Sequence, residues 1–342
     1  MKKLLMSASL AFFALTGATQ AEGKLSIYHW FEYIPQELLD KFAKEYDVEV
    51  TMDTYDSNEA LLASLKAGKL GSYDVAVPGD YMVKILGNEG MLDTFDPSEL
   101  SNFGNIEDQW ADVSFDPGRK SSIPYQWGST SFSVNRDVYS GPIDSLALIF
   151  DPPAELQGKI NVLDTSGETL TLASLYLGIP QCTPDKAQLK ELNALVQGAK
   201  QYWASFGSDV AKDVLVSGDA AAGMIWSGFS AKARGEGANI EYAFPKEGYI
   251  VWMDNVVLLK DAPNRANALK FMNFLLEPEN AAAVTNYAQY TAGVKGVVPF
   301  LEPAVANSPE SNPPAGQKGV FVEACPEAVQ VLYDAIWTNL KK

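Results

Sequence analysis

Lys24-Leu25-Ser26-Ile27-Tyr28 begins the stretch, residues 24–79, whose reading decides the fold. The first five residues have strand character. From Pro35 onward Leu38, Leu39, Phe42 and Tyr46 recur at helical spacing, and proline suits a first helical turn. Val48-Glu49-Val50-Thr51-Met52 alternates and is rich in β-branched residues, so it reads as a second strand. Asp56-Ser57-Asn58-Glu59 reads as a helix start with Asp56 as its cap; Leu61, Leu62 and Leu65 continue the helix and Gly68 ends it. Residues 73–77 form a buried strand stopped by Pro78-Gly79. Strand, helix, strand, helix, strand implies a parallel sheet with helices on its faces.

The second half repeats the rhythm. Strands are expected at 160–163, 222–226 and 256–259, and helices at 170–177, 186–203, 229–234, 265–276 and from Pro326. A chain of 342 residues is long enough for two domains. No compositional shift marks a linker, as befits two lobes joined by several crossovers. In open α/β sheets, ligands sit outside the carboxyl ends of the strands. That rule selects Trp30 to Tyr33, Pro78 to Tyr81, Asp164 to Glu168, Trp226 to Phe229, and Trp252 to Asp254.

Each of these windows carries an aromatic residue, a carboxylate or both, and none contains Lys or Arg. Trp30, Tyr33, Tyr81, Trp226 and Trp252 supply rings; Glu32, Asp80, Glu168 and Asp254 supply acids; Tyr290 follows a helix and can join them. Rings attract an ammonium group through their quadrupole, by about 2 kcal/mol when desolvated. Carboxylates accept charge-assisted hydrogen bonds from it. Taken singly, a tryptophan at a strand end is ordinary packing. Trp110, Trp203 and Trp337 are read that way, Tyr125 and Trp127 as core beside a lobe crossing, and His29 as a structural strand residue.

Composition narrows the chemistry. With 26 Lys+Arg against 43 Asp+Glu the chain carries −17, which suits neither nucleic acid nor an anionic membrane. One histidine leaves no material for a histidine triad or a two-histidine metal site. No nucleophile elbow, phosphate-binding lysine loop or dinucleotide fingerprint is present. Paired carboxylates among rings also describe glycan-active enzymes, which remain the enzymatic alternative. No catalytic residue, cofactor or metal is assigned.

Lys2 and Lys3, the apolar run 4–15 and Thr19-Gln20-Ala21 read as a secretory signal cleaved after Ala21. No cysteine follows for lipidation, and no later stretch is apolar enough to span a bilayer, so a soluble periplasmic protein is expected. Cys182 and Cys325 can form a disulfide in that compartment or remain two separate thiols.

Seven stretches, in order, carry a resemblance: Tyr28-His29-Trp30-Phe31-Glu32-Tyr33, Asp56-Ser57-Asn58-Glu59, Tyr73-Asp74-Val75-Ala76-Val77-Pro78, Ile123-Pro124-Tyr125-Gln126-Trp127-Gly128, Gly223-Met224-Ile225-Trp226, Pro245-Lys246-Glu247-Gly248 and Trp252-Met253-Asp254. Over nearly its whole mature length the chain resembles the periplasmic spermidine/putrescine-binding proteins of polyamine ABC importers. The resemblance implies a two-lobed type II periplasmic binding fold, each lobe a mainly parallel sheet flanked by helices. Lobe one would hold residues 24–127 and 256–295, and lobe two 128–255 and 296–342. A monomer would capture spermidine or putrescine in the cleft and deliver it to an inner-membrane ABC permease. A same-fold protein or sensor for another organic cation is the alternative. Trp30, Glu32, Tyr33, Tyr81, Glu168, Trp226, Trp252, Asp254 and Tyr290 fall where that family contacts its ligand. Asp80 lies beside that set. Phe31, Gly79, Thr165 and Phe229 depart from the family pattern, and Glu323 aligns with a polar contact position.

Overall fold

The computed structural model describes residues 23–342 other than 315 and 318. The expected signal, residues 1–21, lies outside the described residues. The first half runs β1 (Gly23–Trp30), α1 (Gln36–Tyr46), β2 (Val48–Tyr55), α2 (Asn58–Ser64), β3 (Val75–Ala76) and α3 (Asp80–Asn88). A long strand, β4 (Ser122–Asn135), leads to α4 (Ala147–Phe150), β5 (Ile160–Val162), α5 (Ser166–Leu177), α6 (Lys186–Ala199), β6 (Trp203–Phe206), α7 (Ala211–Ser217), β7 (Ala222–Trp226), α8 (Ser227–Gly235) and β8 (Ile240–Tyr242). A second long strand, β9 (Tyr249–Leu258), precedes α9 (Arg265–Leu275), α10 (Pro278–Ala288), β10 (Thr291–Ala292), α11 (Pro303–Ala306), β11 (Gly319–Val320) and α12 (Glu327–Leu340). Among the described residues no helix is long and apolar enough to cross a membrane.

The strands hydrogen-bond in the order β2-β1-β3-β9-β4-β7-β5-β6. β1 is parallel to β2 and β3, and β5 is parallel to β6 and β7. Between these groups β9 and β4 run antiparallel to each other and to their outer neighbours. Side-chain alternation divides β1 and β3 between two cores. Leu25, Ile27 and Val75 pack with α1 and α9 on one face; Tyr28 and Ala76 pack with α2 and α3 on the other. A separate core gathers Phe132, Val162, Leu172, Met224 and Ile336. β4 contributes Ile123 to the first region and Phe132 to the second; β9 contributes Val256 and Ile250 in the same way. Two continuous strands therefore connect the cores.

At that crossing Arg119 is fully buried. Its guanidinium donates to the Trp110 carbonyl at 2.8 Å, Ser122 Oγ at 3.1 Å and Asn255 Oδ1 at 2.5 Å. These bonds satisfy a charge that burial would otherwise make costly. Cys182 and Cys325 form a disulfide, with Cα atoms 5.1 Å apart.

Several boundaries differ from the sequence reading. Ser57, not Asp56, caps α2, accepting the Ala60 amide at 3.1 Å. The strand expected at 73–77 contains only Val75–Ala76. The strand expected at 256–259 begins at Tyr249, so Trp252 and Asp254 lie within a strand and not at its end. β4 was not anticipated. Its Ser129-Thr130-Ser131 segment is polar yet buried, and it interrupts the alternation of Ile123, Tyr125 and Trp127 on one side and Phe132 and Val134 on the other.

Candidate functional site

Four strand ends open into one cleft. Trp30 is the last residue of β1, Asp80 begins α3 just after β3, Glu168 lies in the first turn of α5 after β5, and Trp226 ends β7. Both acids sit at helix N-termini, where unpaired amides and the helix dipole favour a carboxylate. β9 adds Trp252 and Asp254 from the crossing. Trp30, Phe31, Tyr33, Asp80, Tyr81, Glu168, Trp226, Phe229, Trp252, Asp254 and Tyr290 line a single cavity together with Asn58, Gly79, Asp209 and Val322.

The rings brace one another. Trp30 and Trp226 approach across the cavity at 6.0 Å between centroids, edge to face. Trp226 meets Phe229 at 5.4 Å, Trp252 meets Tyr290 at 5.0 Å, and Tyr290 meets Tyr33 at 5.3 Å. Trp30 Nε1 donates to the Val77 carbonyl at 2.6 Å, which fixes its plane. Glycines permit this packing. A Cβ at Gly128 would lie 2.9 Å from the rings of Trp252 and Tyr290, and one at Gly228 would lie 2.6 Å from Tyr290.

Hydrogen bonds orient the acids. Glu168 accepts from Thr130 Oγ1, from Thr165 Oγ1 at 2.8 Å and from Trp226 Nε1 at 3.1 Å. Thr130 Oγ1 also accepts from Trp252 Nε1 at 2.9 Å, so one threonine links carboxylate and ring. Asp80 is 3% exposed and accepts the amides of Tyr81 at 2.6 Å and Met253 at 2.9 Å. Asp254 is 8% exposed. The buried Tyr33 hydroxyl adjoins it without a well-formed hydrogen bond. Behind the wall Glu59 accepts from Tyr81 Oη at 3.1 Å and Ser166 Oγ at 3.3 Å.

Burial sets the electrostatics. It pushes Asp80 up to about 7, with the Glu168 charge adding to the effect. Asp254 stands well above the ordinary carboxylate range, chiefly through burial and then through Asp80 and Glu168. Glu168 and Glu59 are also raised by burial. No Lys or Arg lines the cavity among the described residues. The site is a slot of aromatic faces and poorly compensated carboxylates, chemically suited to an organic cation.

A family model described as bacterial extracellular solute-binding protein matches residues 37–313. The chain belongs to the bacterial extracellular solute-binding proteins. The spermidine/putrescine-binding periplasmic protein of Escherichia coli is 36% identical to this solute-binding protein over 318 residues, 92% of this chain and 90% of the relative. The putrescine-binding periplasmic protein of Pseudomonas aeruginosa is 33% identical over 360 residues, 99% and 98% of the two chains. A solved structure, a putative spermidine/putrescine ABC transporter from Listeria monocytogenes, superposes with a TM-score of 0.87 at 29% identity, covering 93% of this chain and 98% of that one. The architecture is that of a type II periplasmic binding protein.

Three expected residues of this solute-binding protein are not brought into the cavity. Glu32 lines a separate surface cavity, where its carboxylate lies 3.7 Å from Lys212 Nζ and 4.0 Å from Lys232 Nζ. Its backbone is left-handed, with φ 49°, between two residues that do face the slot. Thr165 is buried behind Glu168, which it positions. Glu323 lines a neighbouring groove beside the disulfide. Four lining residues lay outside the aromatic-and-acid set. Asn58 read as part of a helix start and Gly79 as a stop, but the Gly79 amide donates to Asn58 Oδ1 at 3.0 Å and the pair forms wall. Asp209 follows β6, a strand the sequence did not reveal, so the strand-end rule had nothing to act on. Val322 follows β11 in the same way.

Proposed function

We propose that this chain is a periplasmic polyamine-binding protein that captures spermidine or putrescine and delivers it to an ABC permease. The observation that carries the reading is Asp80, Asp254 and Glu168 around one aromatic slot that, among the described residues, no basic side chain lines. Each has its acidity suppressed by burial, and an ammonium group would relieve that strain. Rings of Trp30, Trp226 and Trp252 would enclose the methylene chain. The relatives named above bind putrescine, or spermidine and putrescine, by their own names.

In this reading the protein acts as a monomeric carrier, not an enzyme, exported by cleavage after Ala21. Residues 24–127 with 256–295 form one lobe and residues 128–255 with 296–342 the other. They close on ligand about β4 and β9, and the permease recognises the closed form. Titration calorimetry with putrescine, spermidine and spermine, after ligand stripping by unfolding and refolding, tests it. Micromolar binding, about −8.2 kcal/mol, is expected for at least one. Asp254→Asn and Trp252→Ala should each weaken it at least about tenfold. Heat from none of the three amines would end the proposal.

A further inference from the structure

Not all the acids lining the slot belong to one group. Asp80 and Asp254 meet at the crossing, where the Met253 amide bonds Asp80, and both feel Glu168. Asp209 stands apart, on the segment between β6 and α7. It is half-buried and lines the slot, yet among the described residues no hydrogen bond or ion pair ends on its carboxylate. The charges that act on it are acidic, Asp56 and Glu32. Lys212 lies three residues along but is engaged by Glu32 at 3.7 Å, Asp213 at 3.3 Å and Glu236 at 2.9 Å.

Glu32 would be the obvious acid at this end, and the chain already pairs it with two lysines, Lys212 at 3.7 Å and Lys232 at 4.0 Å. Beyond the two ion pairs, Lys232 Nζ donates to the Glu32 carbonyl at 3.1 Å and lies 4.6 Å from the centroid of the Tyr287 ring. The lysine side chain is itself a butylammonium group. It satisfies Glu32 with the same chemistry that a polyamine terminus would offer. An incoming ammonium would have to displace it, whereas no partner among the described residues would have to leave Asp209.

We propose that Asp209 anchors a second ammonium group of the ligand and that Lys212 and Lys232 withhold Glu32 from it. This rests on the polyamine reading of the slot. One ammonium lies among Asp80, Asp254 and Glu168, the other at Asp209, and the chain between them runs past the tryptophans. The ligand is then selected for carrying two separated charges.

Calorimetry on the full chain tests this with two probes: 1-butylamine, and whichever of putrescine and spermidine the unaltered protein binds more tightly. Asp209→Asn keeps the shape and removes the charge. It should weaken the polyamine at least about tenfold and change butylamine by less than about twofold, because only the polyamine loses a charged hydrogen bond. Glu32→Gln should alter polyamine affinity by less than about threefold. Equal weakening of both probes by Asp209→Asn, or no weakening of either, overturns the assignment. A tenfold loss in Glu32→Gln overturns it as well. If the unaltered protein binds no polyamine, the reading beneath fails and takes this one with it. That result is distinct from the other three, which all require binding by the unaltered protein.

Discussion

The Met253 amide donates to the Asp80 carboxylate at 2.9 Å, tying the first turn of α3 to β9 one residue before Asp254. It brings two acids together in a buried place, and Asp80 is pushed up to about 7, burial being the largest cause. Below that pH the unliganded side chain holds a proton that a bound ammonium must expel. Affinity for a polyamine should therefore rise from pH 5 to 7, by up to about tenfold per unit for each proton released. At pH 6 the heat of binding should change with the ionisation enthalpy of the buffer. Identical heats in phosphate and in an amine buffer at pH 6 would contradict the assignment. Asp80→Asn should reduce the effect.

His29, the single histidine in the chain, is buried and 1% exposed. Its Nδ1 accepts the Trp30 amide at 2.9 Å, and burial lowers its pKa from 6.5 to about 4. The folded ring stays neutral where the unfolded ring takes up a proton. The stability this confers is complete above pH 6.5 and is lost as pH falls from 6.5 through 4. Asp80 works in the opposite sense, since a raised carboxyl favours the folded state at low pH. Replacing the only histidine isolates its share. His29→Phe should show a smaller fall in melting temperature between pH 7 and 5 than the unaltered chain. Equal falls would show that His29 does not contribute.

α1, α2 and β2 were legible because helical spacing and alternation there match burial on one face, as with Leu38, Leu39 and Phe42, whereas β1 and β3 are covered on both faces and were legible as short, largely apolar runs. The strand-end rule picked out Trp30, Asp80, Glu168 and Trp226, which line one cavity, while Trp252 and Asp254 line it from within β9. The crossing strands were not legible. β4 buries Ser131 and Ser133 alongside Phe132 and Val134, so both faces are covered, and the polar run Ser129-Thr130-Ser131 interrupts the alternation in mid-strand. Glu32 illustrates a different limit. Its residue type and neighbours pointed into the cleft, but its left-handed backbone and two lysines distant in sequence decide where the carboxylate goes.

Gly128 provides a test of ring placement that changes no polar group. It lies in β4 against Trp252 and Tyr290, and a Cβ there would sit 2.9 Å from both rings. Real Cβ contacts are not that close, so Gly128→Ala must displace one ring or the strand. Since Trp252 also donates to Thr130, and Thr130 to Glu168, the shift carries into the carboxylate. Ligand affinity should fall by about tenfold or more. Gly87→Ala, a helical position where a Cβ meets nothing within 4 Å, should leave it unchanged. An unaltered affinity in Gly128→Ala would mean that the rings need not hold this arrangement.

The Cys182–Cys325 disulfide joins the segment after α5 to the segment between β11 and α12. Val322, a wall residue of the slot, lies three positions before Cys325, and Gln181 Nε2 donates to the Phe321 carbonyl at 2.9 Å beside the bridge. The bridged cysteines are 143 positions apart, and a loop of that size restricts the unfolded chain strongly. Native disulfides of this kind stabilise by about 2–5 kcal/mol. The double variant Cys182→Ser, Cys325→Ser should lower the denaturant midpoint accordingly, and adding a reductant should reproduce the loss in the unaltered chain but not in the variant. Polyamine affinity should also weaken, because Val322 loses its tether. If the midpoint falls while affinity holds, the bridge stabilises the fold without positioning the wall; if neither changes, the bridge contributes to neither.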